Sequence, residues 1–468
     1  MTTAQDPTDI LQEALGSADG FVELRYHKKR TRSVAVEKGR VDQAKIGEHT
    51  GVGVRVLVDG AMGFASTDVL EVAAVRRALD RARVAAKAAS SARKEKLLPP
   101  PSTELAQGRF DAPGYEELAG RPIEAGLDLV LELEKEATAA SSKISSAACG
   151  YTEIFEEKGI VTNDGAKAWT RLVRPEFRVS AVAQADGEMQ RGSRSVGATG
   201  AWDCLFRRAT AQSMAGEAAR MAVDLLTAGH PSGGRTKVLL SPSLVGLLTH
   251  EAVGHTVEAD FVSSGSVAAG KLGKRVASEL VTLCDSGISE HNPGAGGTLI
   301  VDDEGVPTQR TVVIRNGILE SYLHDRFSAA RYGVAPTGNA RAWEFDDEPL
   351  IRMRNTYIEP GQQSFDELVD GMQDGLILDG PRNGQADSNG EFMFGTLCAW
   401  PVKNGKRGAL LRGANLSGLA FDVLRSVDGV GSEFEWDLGS GHCGKGQPAK
   451  VDAGGPWLRC EALVGGRA

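Results

Sequence analysis

The chain has 468 residues, 41% hydrophobic and 25% charged, which describes a globular protein too long for one ordinary core, so two domains are expected. Its net charge of −9 argues against nucleic acid as the main partner, and no run of roughly 18 apolar residues exists, so no membrane span is expected. The start, M-T-T-A-Q-D-P-T-D-I, lacks the basic and apolar regions of a secretory signal, and the cysteines (Cys149, Cys204, Cys284, Cys398, Cys443, Cys460) form no C-x-x-C pair, so a reducing cytoplasm is the expected location.

Taken in order, residues 8–17 predict a short helix. Phe21–Tyr26 and Thr31–Val36 read as paired strands around a basic turn, His27-Lys28-Lys29-Arg30. Gly51–Thr67 reads as strand, Asp-Gly turn and strand. From Asp68 to about Ala89 the chain is helical, with a basic face opposite Val69, Val72, Val75 and Leu79 that reads as solvated surface rather than a nucleic-acid site. Residues 94–114 hold P-P-P-S and read as a long connection. Residues 123–140 and 205–228 read as helices, with strands between them that turn at Asn163-Asp164-Gly165 and Ala185-Asp186-Gly187. His230-Pro231-Ser232-Gly233-Gly234 marks the boundary between an N-terminal domain, 1–234, and a C-terminal one, 235–468. Each is expected to be α+β, with a largely antiparallel sheet and packed helices.

The second half opens on a strand, Thr236–Leu240, which leads into S-P-S-L-V-G-L-L-T-H-E-A-V-G-H-T-V-E-A-D, residues 241–260. Ser241 and Pro242 suit the start of a helix, and Leu244, Val245, Leu247, Leu248, Ala252 and Val253 recur at helical spacing. In the middle of this stretch stand His250, Glu251 and His255. Two imidazoles beside a carboxylate suit a zinc hydrolase, in which imidazoles hold the metal and the carboxylate takes a proton from water. The histidines are five apart, so at about 100° per residue they diverge by roughly 140° on a regular α-helix. At about 4.4 residues per turn, a π-type widening returns them to within roughly 50°. Gly254 eases such a distortion. The alternative is one core and one surface histidine on an ordinary buried helix.

Further on, residues 265–273 are rich in glycine and serine and read as a loop able to close over the site. Arg310–His324 forms a hairpin on Asn316-Gly317, and Ser364–Glu367 is a capping box. Met393–Leu411 reads as a hairpin turning at Asn404-Gly405, Leu416–Val427 as a helix, and 437–448 as a glycine-dominated tail. A catalytic zinc takes three protein ligands, and Glu258, Asp260, His324, His442 and Cys443 are the candidates for the third. Glu258 and Asp260 also suit orientation of the imidazoles. His324 and Arg326 are candidate oxyanion donors by residue type alone. Spacing does not choose among these.

The motifs H-E-A-V-G-H-T-V-E-A-D-F, residues 51–67, D-G-P-R-N-G-Q-A-D-S-N-G-E-F-M-F-G (379–395) and G-H-C-G-K-G-Q-P together resemble the TldD branch of the TldD/PmbA peptidases, a family also named for modulation of DNA gyrase. The resemblance covers nearly the whole chain. It implies Zn2+ held by His250, His255 and Cys443, ahead of His442, with Glu251 as general base. It implies a metalloprotease acting on unfolded or extended peptides, such as leader peptides and flexible antitoxin tails. It also implies two α+β domains and dimers that enclose a cavity, either homodimers or pairs with a TldE/PmbA-like sister that lacks the metal residues. Two other readings compete: a non-catalytic peptide-binding or maturation partner, and a hydrolase of small amides.

Overall fold

The computed structural model describes residues 6–17 and 20–466. The first half is built on one seven-stranded sheet of order β3-β2-β1-β5-β6-β4, with β7 also on β6. Its strands are β1 (Phe21–Glu37), β2 (Arg40–Val58), β3 (Ala61–Thr67), β4 (Gln107–Asp111), β5 (Ile144–Thr162), β6 (Lys167–Ala185) and β7 (Glu188–Gly197). All neighbours are antiparallel except β4 on β6. Helices α1 (Pro7–Leu15), α2 (Val72–Ala92), α3 (Tyr115–Gly120), α4 (Glu124–Ala139), α5 (Trp202–Leu205) and α6 (Ala211–Thr227) join these strands, and the longer ones cover one face of the sheet.

The expected basic turn at 27–30 is the middle of a 17-residue strand. The reason is alternation. Successive side chains on a strand point to opposite faces, so Val22, Leu24 and Tyr26 enter the apolar core while Glu23, Arg25, His27 and Lys29 enter the other face. That face is charged yet buried, because the second half of the chain supplies acceptors. Arg25 donates to the carbonyls of Glu344, Phe345 and Asp347, and Lys29 donates to the carbonyl of Trp343. Arg55 bridges Glu23 and Glu304, Lys158 pairs with Asp303, and Lys450 pairs with Glu176. A local reading sees only a run of cations. The contacts that bury it come from far along the chain.

A twelve-stranded, mostly antiparallel sheet lies in the second half. Within it β8 (Gly234–Leu240), Gly375–Ala386, Glu391–Lys403, Asn415–Leu419 and Asp452–Gly465 pair in a closed ring, since the last also returns to β8. Closure removes unpaired strand edges. The helical segment after β8 packs against this ring, with Leu244, Val245, Leu248, Ala252 and Val253 in one core with Leu378, Phe392, Phe394, Leu416 and Leu458.

Several local expectations change. The connection 94–114 contains β4. The helix expected from 205 begins at Ala211, where Thr210 caps the amide of Ser213. Residues 416–427 divide into a strand to Leu419 and a helix, Ala420–Arg425, because Asn415–Gly418 are taken up in sheet pairing. The Asp59-Gly60, Asn163-Gly165, Asp186-Gly187 and Asn316-Gly317 turns, and the Ser364 capping box, form as expected. Among the described residues, no helix is long and apolar enough to cross a membrane.

Candidate metal centre

The strand β8 runs directly into α7 (Pro242–Leu247), which lasts one and a half turns before widening into a π-helix, Leu248–Gly254, and then a 3-10 turn, His255–Val257. Ser241 stands at the cap position, but its hydroxyl meets that of Ser243 at 3.0 Å instead of a helix amide. The widening has a direct signature: the amide of His255 donates to the carbonyl of His250, five residues back. The two imidazoles therefore lie on one side, with ring centroids 5.3 Å apart. Gly254 permits this because the backbone presses on Met353; a Cβ there would fall 1.9 Å from the Met353 sulfur.

Facing the pair is Cys443, on a short hairpin of His442–Lys445 with Gln447–Lys450. Its Sγ is 3.1 Å from His255 Nε2, and one ligand atom from each of His250, His255 and Cys443 lies within 4.8 Å of the others. Buried Arg352 holds the hairpin from both strands, donating to the carbonyls of Cys443 at 2.6 Å and Gln447 at 2.7 Å. His255 Nδ1 donates to Glu258 Oε2 at 3.0 Å, which leaves Nε2 for the cluster. Glu251 stands at the open side. Its Oε2 is 3.9 Å from His255 Nε2 and its side chain is 30% exposed, whereas His250 and Cys443 are buried.

The electrostatics fit a cation. Burial opposes ionisation of the Cys443 thiol, but the adjacent imidazoles outweigh it and bring its pKa down to about 4. Burial opposes protonation of His255, but Cys443 and Glu258 outweigh it and raise its pKa to about 10. Both ring nitrogens of His250 are buried with no protein partner other than the adjoining Cys443 thiol. A buried polar group left so is costly unless something else engages it. Two imidazoles and a thiolate form a nitrogen–sulfur donor set, which suits zinc and not the oxygen-seeking magnesium or calcium.

The other sequence candidates are placed elsewhere. His442, the neighbour of Cys443, faces the opposite side of its strand, toward the Trp343 ring and Glu176. Asp260 is engaged by Lys445. His324 bonds Ser328 and packs on Tyr332. Arg326 is committed to Asp164 through its guanidinium and to Glu304 through its amide, so it is not free to serve an oxyanion. Residues 265–273 are tethered: the Ser266 hydroxyl donates to the Thr256 carbonyl, Val267 bonds Ser388, and the Tyr322 hydroxyl donates to the Ala268 carbonyl. Arg352 and Lys445 went unassigned in the sequence. Lys445 stood in the C-G-K motif, but Arg352 carries no local signal at all.

A cleft of about 1360 Å3 opens elsewhere, against β7 and α6 and residues 379–383 and 435–441. None of His250, Glu251, His255 and Cys443 lines it.

A helix-borne histidine pair facing a strand-borne cysteine, all in the second half of the chain, forms a group that could hold a metal ion. Three family models match in succession: PmbA/TldA metallopeptidase domain 1 over residues 22–86, the central domain over 116–226 and the C-terminal domain over 233–466. The chain belongs to the PmbA/TldD metallopeptidase family. It is 33% identical to a metalloprotease of Methanocaldococcus jannaschii over 457 residues, 97% of this chain and 98% of the relative. It is 37% identical to the zinc metalloprotease TldD homolog of Saccharolobus solfataricus over 247 residues, 52% of this chain and 54% of the relative. Among solved structures, TldE from Thermococcus kodakarensis superposes with a TM-score of 0.77 at 19% identity, covering 95% of this chain and 96% of that one, a likeness of fold.

Proposed function

We propose that this chain is a zinc-dependent peptidase that hydrolyses unfolded or extended peptides with broad sequence tolerance. The observation that carries the reading is the convergence of His250, His255 and Cys443 with Glu251 on the open side. His250, His255 and Cys443 would hold the metal and Glu251 would be the general base. Zinc, when bound, supplies a Lewis acid for the scissile carbonyl and lowers the pKa of water toward neutrality. Glu251 would take a proton from the attacking water and pass it to the leaving amine nitrogen, its partial exposure giving both access. Glu258 keeps His255 in one orientation, and Arg352 keeps Cys443 in place. A thiolate ligand donates more charge than a third imidazole, so a slow, restrained peptidase is expected.

In this reading residues 1–234 form a domain that controls peptide access and pairing, and 235–468 form the catalytic domain. The chain carries all four site residues, which marks it as the active member of a homodimer or of a pair with a TldE/PmbA-like subunit. A cytoplasmic location suits its six free cysteines. The test is zinc content and cleavage of an unstructured peptide, with and without chelator. Glu251→Gln is expected to keep zinc and lose turnover by roughly 1000-fold or more, since base and metal act as a unit. Turnover within a few-fold of the parent removes Glu251 from the role. Full zinc occupancy in Cys443→Ala moves the third ligand elsewhere. Chelator-insensitive peptide binding with no cleavage by the zinc-loaded parent favours the non-catalytic reading.

A further inference from the structure

The strand that carries Cys443 also carries Lys445. Residues two apart on a strand share a face, so the lysine is delivered to the same site as the thiol. Its ammonium contacts three acceptors: Glu258 Oε2 at 3.0 Å, Asp260 Oδ2 at 2.7 Å and the Ile351 carbonyl at 3.0 Å. An ammonium has three N–H groups, so none remains for a substrate. Lys445 also sits 4.4 Å from the Phe261 ring centroid and is largely buried. Glu258 is fully buried, and the oxygen that receives Lys445 is the one that receives His255 Nδ1, at 3.0 Å. Both cation and imidazole thus converge on one carboxylate oxygen.

We propose that Lys445 is a positioning residue which, through Glu258, fixes the orientation of His255 and thereby sets the affinity of the metal centre. This rests on the zinc reading above. A buried carboxylate without a compensating cation is costly and turns or recruits another partner. Glu258 released from Lys445 no longer holds Nδ1, and His255 loses the constraint that presents Nε2 toward Cys443. One strand then supplies a ligand and the group that orients a second ligand on the π-helix, which couples the two elements.

Two explanations give opposite signs. Lys445 acting only as a nearby positive charge repels a metal cation, so its removal tightens binding. Lys445 acting through Glu258 improves the site, so its removal weakens binding by about 10–100-fold, the range for lost partners of metal-bound histidines. The experiment is competition of the full-length protein with a chromophoric chelator for Zn2+, alongside visible spectra of the Co2+-loaded protein. Lys445→Met is expected to weaken Zn2+ by that factor and to shift the Co2+ bands. Lys445→Arg, which keeps the ion pair, is expected to recover affinity to within about threefold of the parent. Lys445→Met/Glu258→Gln is expected to bind no more weakly than Glu258→Gln alone, because the lysine acts through the glutamate. Unchanged or tighter binding in Lys445→Met, or additive losses in the double variant, overturns the proposal. If Lys445→Met does not fold, Lys445→Gln takes its place in each comparison under the same criteria. A parent that binds no Zn2+ and shows no cobalt–thiolate band overturns the metal-site reading and this proposal with it. A parent that binds while Lys445→Met matches it overturns this proposal alone.

Discussion

Replacing Gly254 with alanine opposes two rules of comparable size. Alanine exceeds glycine in helix propensity by about 1 kcal/mol, so the local rule expects Gly254→Ala to stabilise. The structure expects the reverse. A Cβ at 254 falls 1.9 Å from Met353 Sδ and 3.2 Å from Met353 Cε, where carbon contacts normally settle at about 3.5–4.0 Å. Met353 is 1% exposed and has no solvent to move into. Relief therefore requires the methionine or the π-turn to shift by roughly 1.5–2 Å, and overpacking of that kind costs about 1–3 kcal/mol. The upper part of that range applies because the turn also carries His255, so the net expectation is destabilisation by about 1–2 kcal/mol. At roughly 2–4 °C per kcal/mol, thermal unfolding of the second half moves down by several degrees. The assay is thermal denaturation of metal-free protein, with Zn2+ affinity measured in parallel. Met353→Ala in the same chain restores room for the Cβ, so the double variant is expected to be more stable than the sum of single losses by about 1 kcal/mol or more. A Gly254→Ala protein as stable as the parent, with unchanged Zn2+ affinity, refutes the claim that glycine is required for the close approach of the π-turn.

Further expectations concern the charged face between the halves. Arg55→Met leaves the buried carboxylates of Glu23 and Glu304 facing each other, and is expected to cost about 3–5 kcal/mol in thermal or chemical denaturation; a loss below about 1 kcal/mol refutes the role of that bridge. His27 is fully buried, and burial pushes its pKa down to about 3, more than nearby Glu156 raises it. Its folded-state pKa lies below its unfolded value of 6.5, so its contribution is complete above pH 6.5 and is lost as pH falls toward 3. His27→Gln is expected to flatten the stability–pH curve between about pH 4 and 6 by one proton, about 1.4 kcal/mol per pH unit, and an unchanged slope refutes the assignment.

Much of the site was legible in residues 241–260. Histidines five positions apart do not meet on a regular helix, so for both to serve one site the spacing called for the π-turn that the structure contains. Asn-Gly and Asp-Gly turns and the Ser364 capping box were legible for the same reason: backbone conformation at these positions depends on residues within four of each other. Cys443 was identified by resemblance, because local spacing favoured a carboxylate such as Glu258 or Asp260 and did not settle the choice among these, His324, His442 and Cys443. It stands 188 residues from His255, and the choice depends on the hairpin that Arg352 clamps and on the alternation that turns His442 away. The face of β1 was misread for a related reason. His27, Lys28, Lys29 and Arg30 look like a solvated turn when only their own charges are counted. Yet His27 and Lys29 are buried, His27 against the Glu156 carboxylate on neighbouring β5 and Lys29 against the Trp343 carbonyl, which arrives only when the second half docks. Sequence by itself determined what short covalent spacing can enforce. Tertiary structure decided which distant groups share a low-dielectric interior, because there an unpaired charge is costly and only the assembled fold supplies its partner.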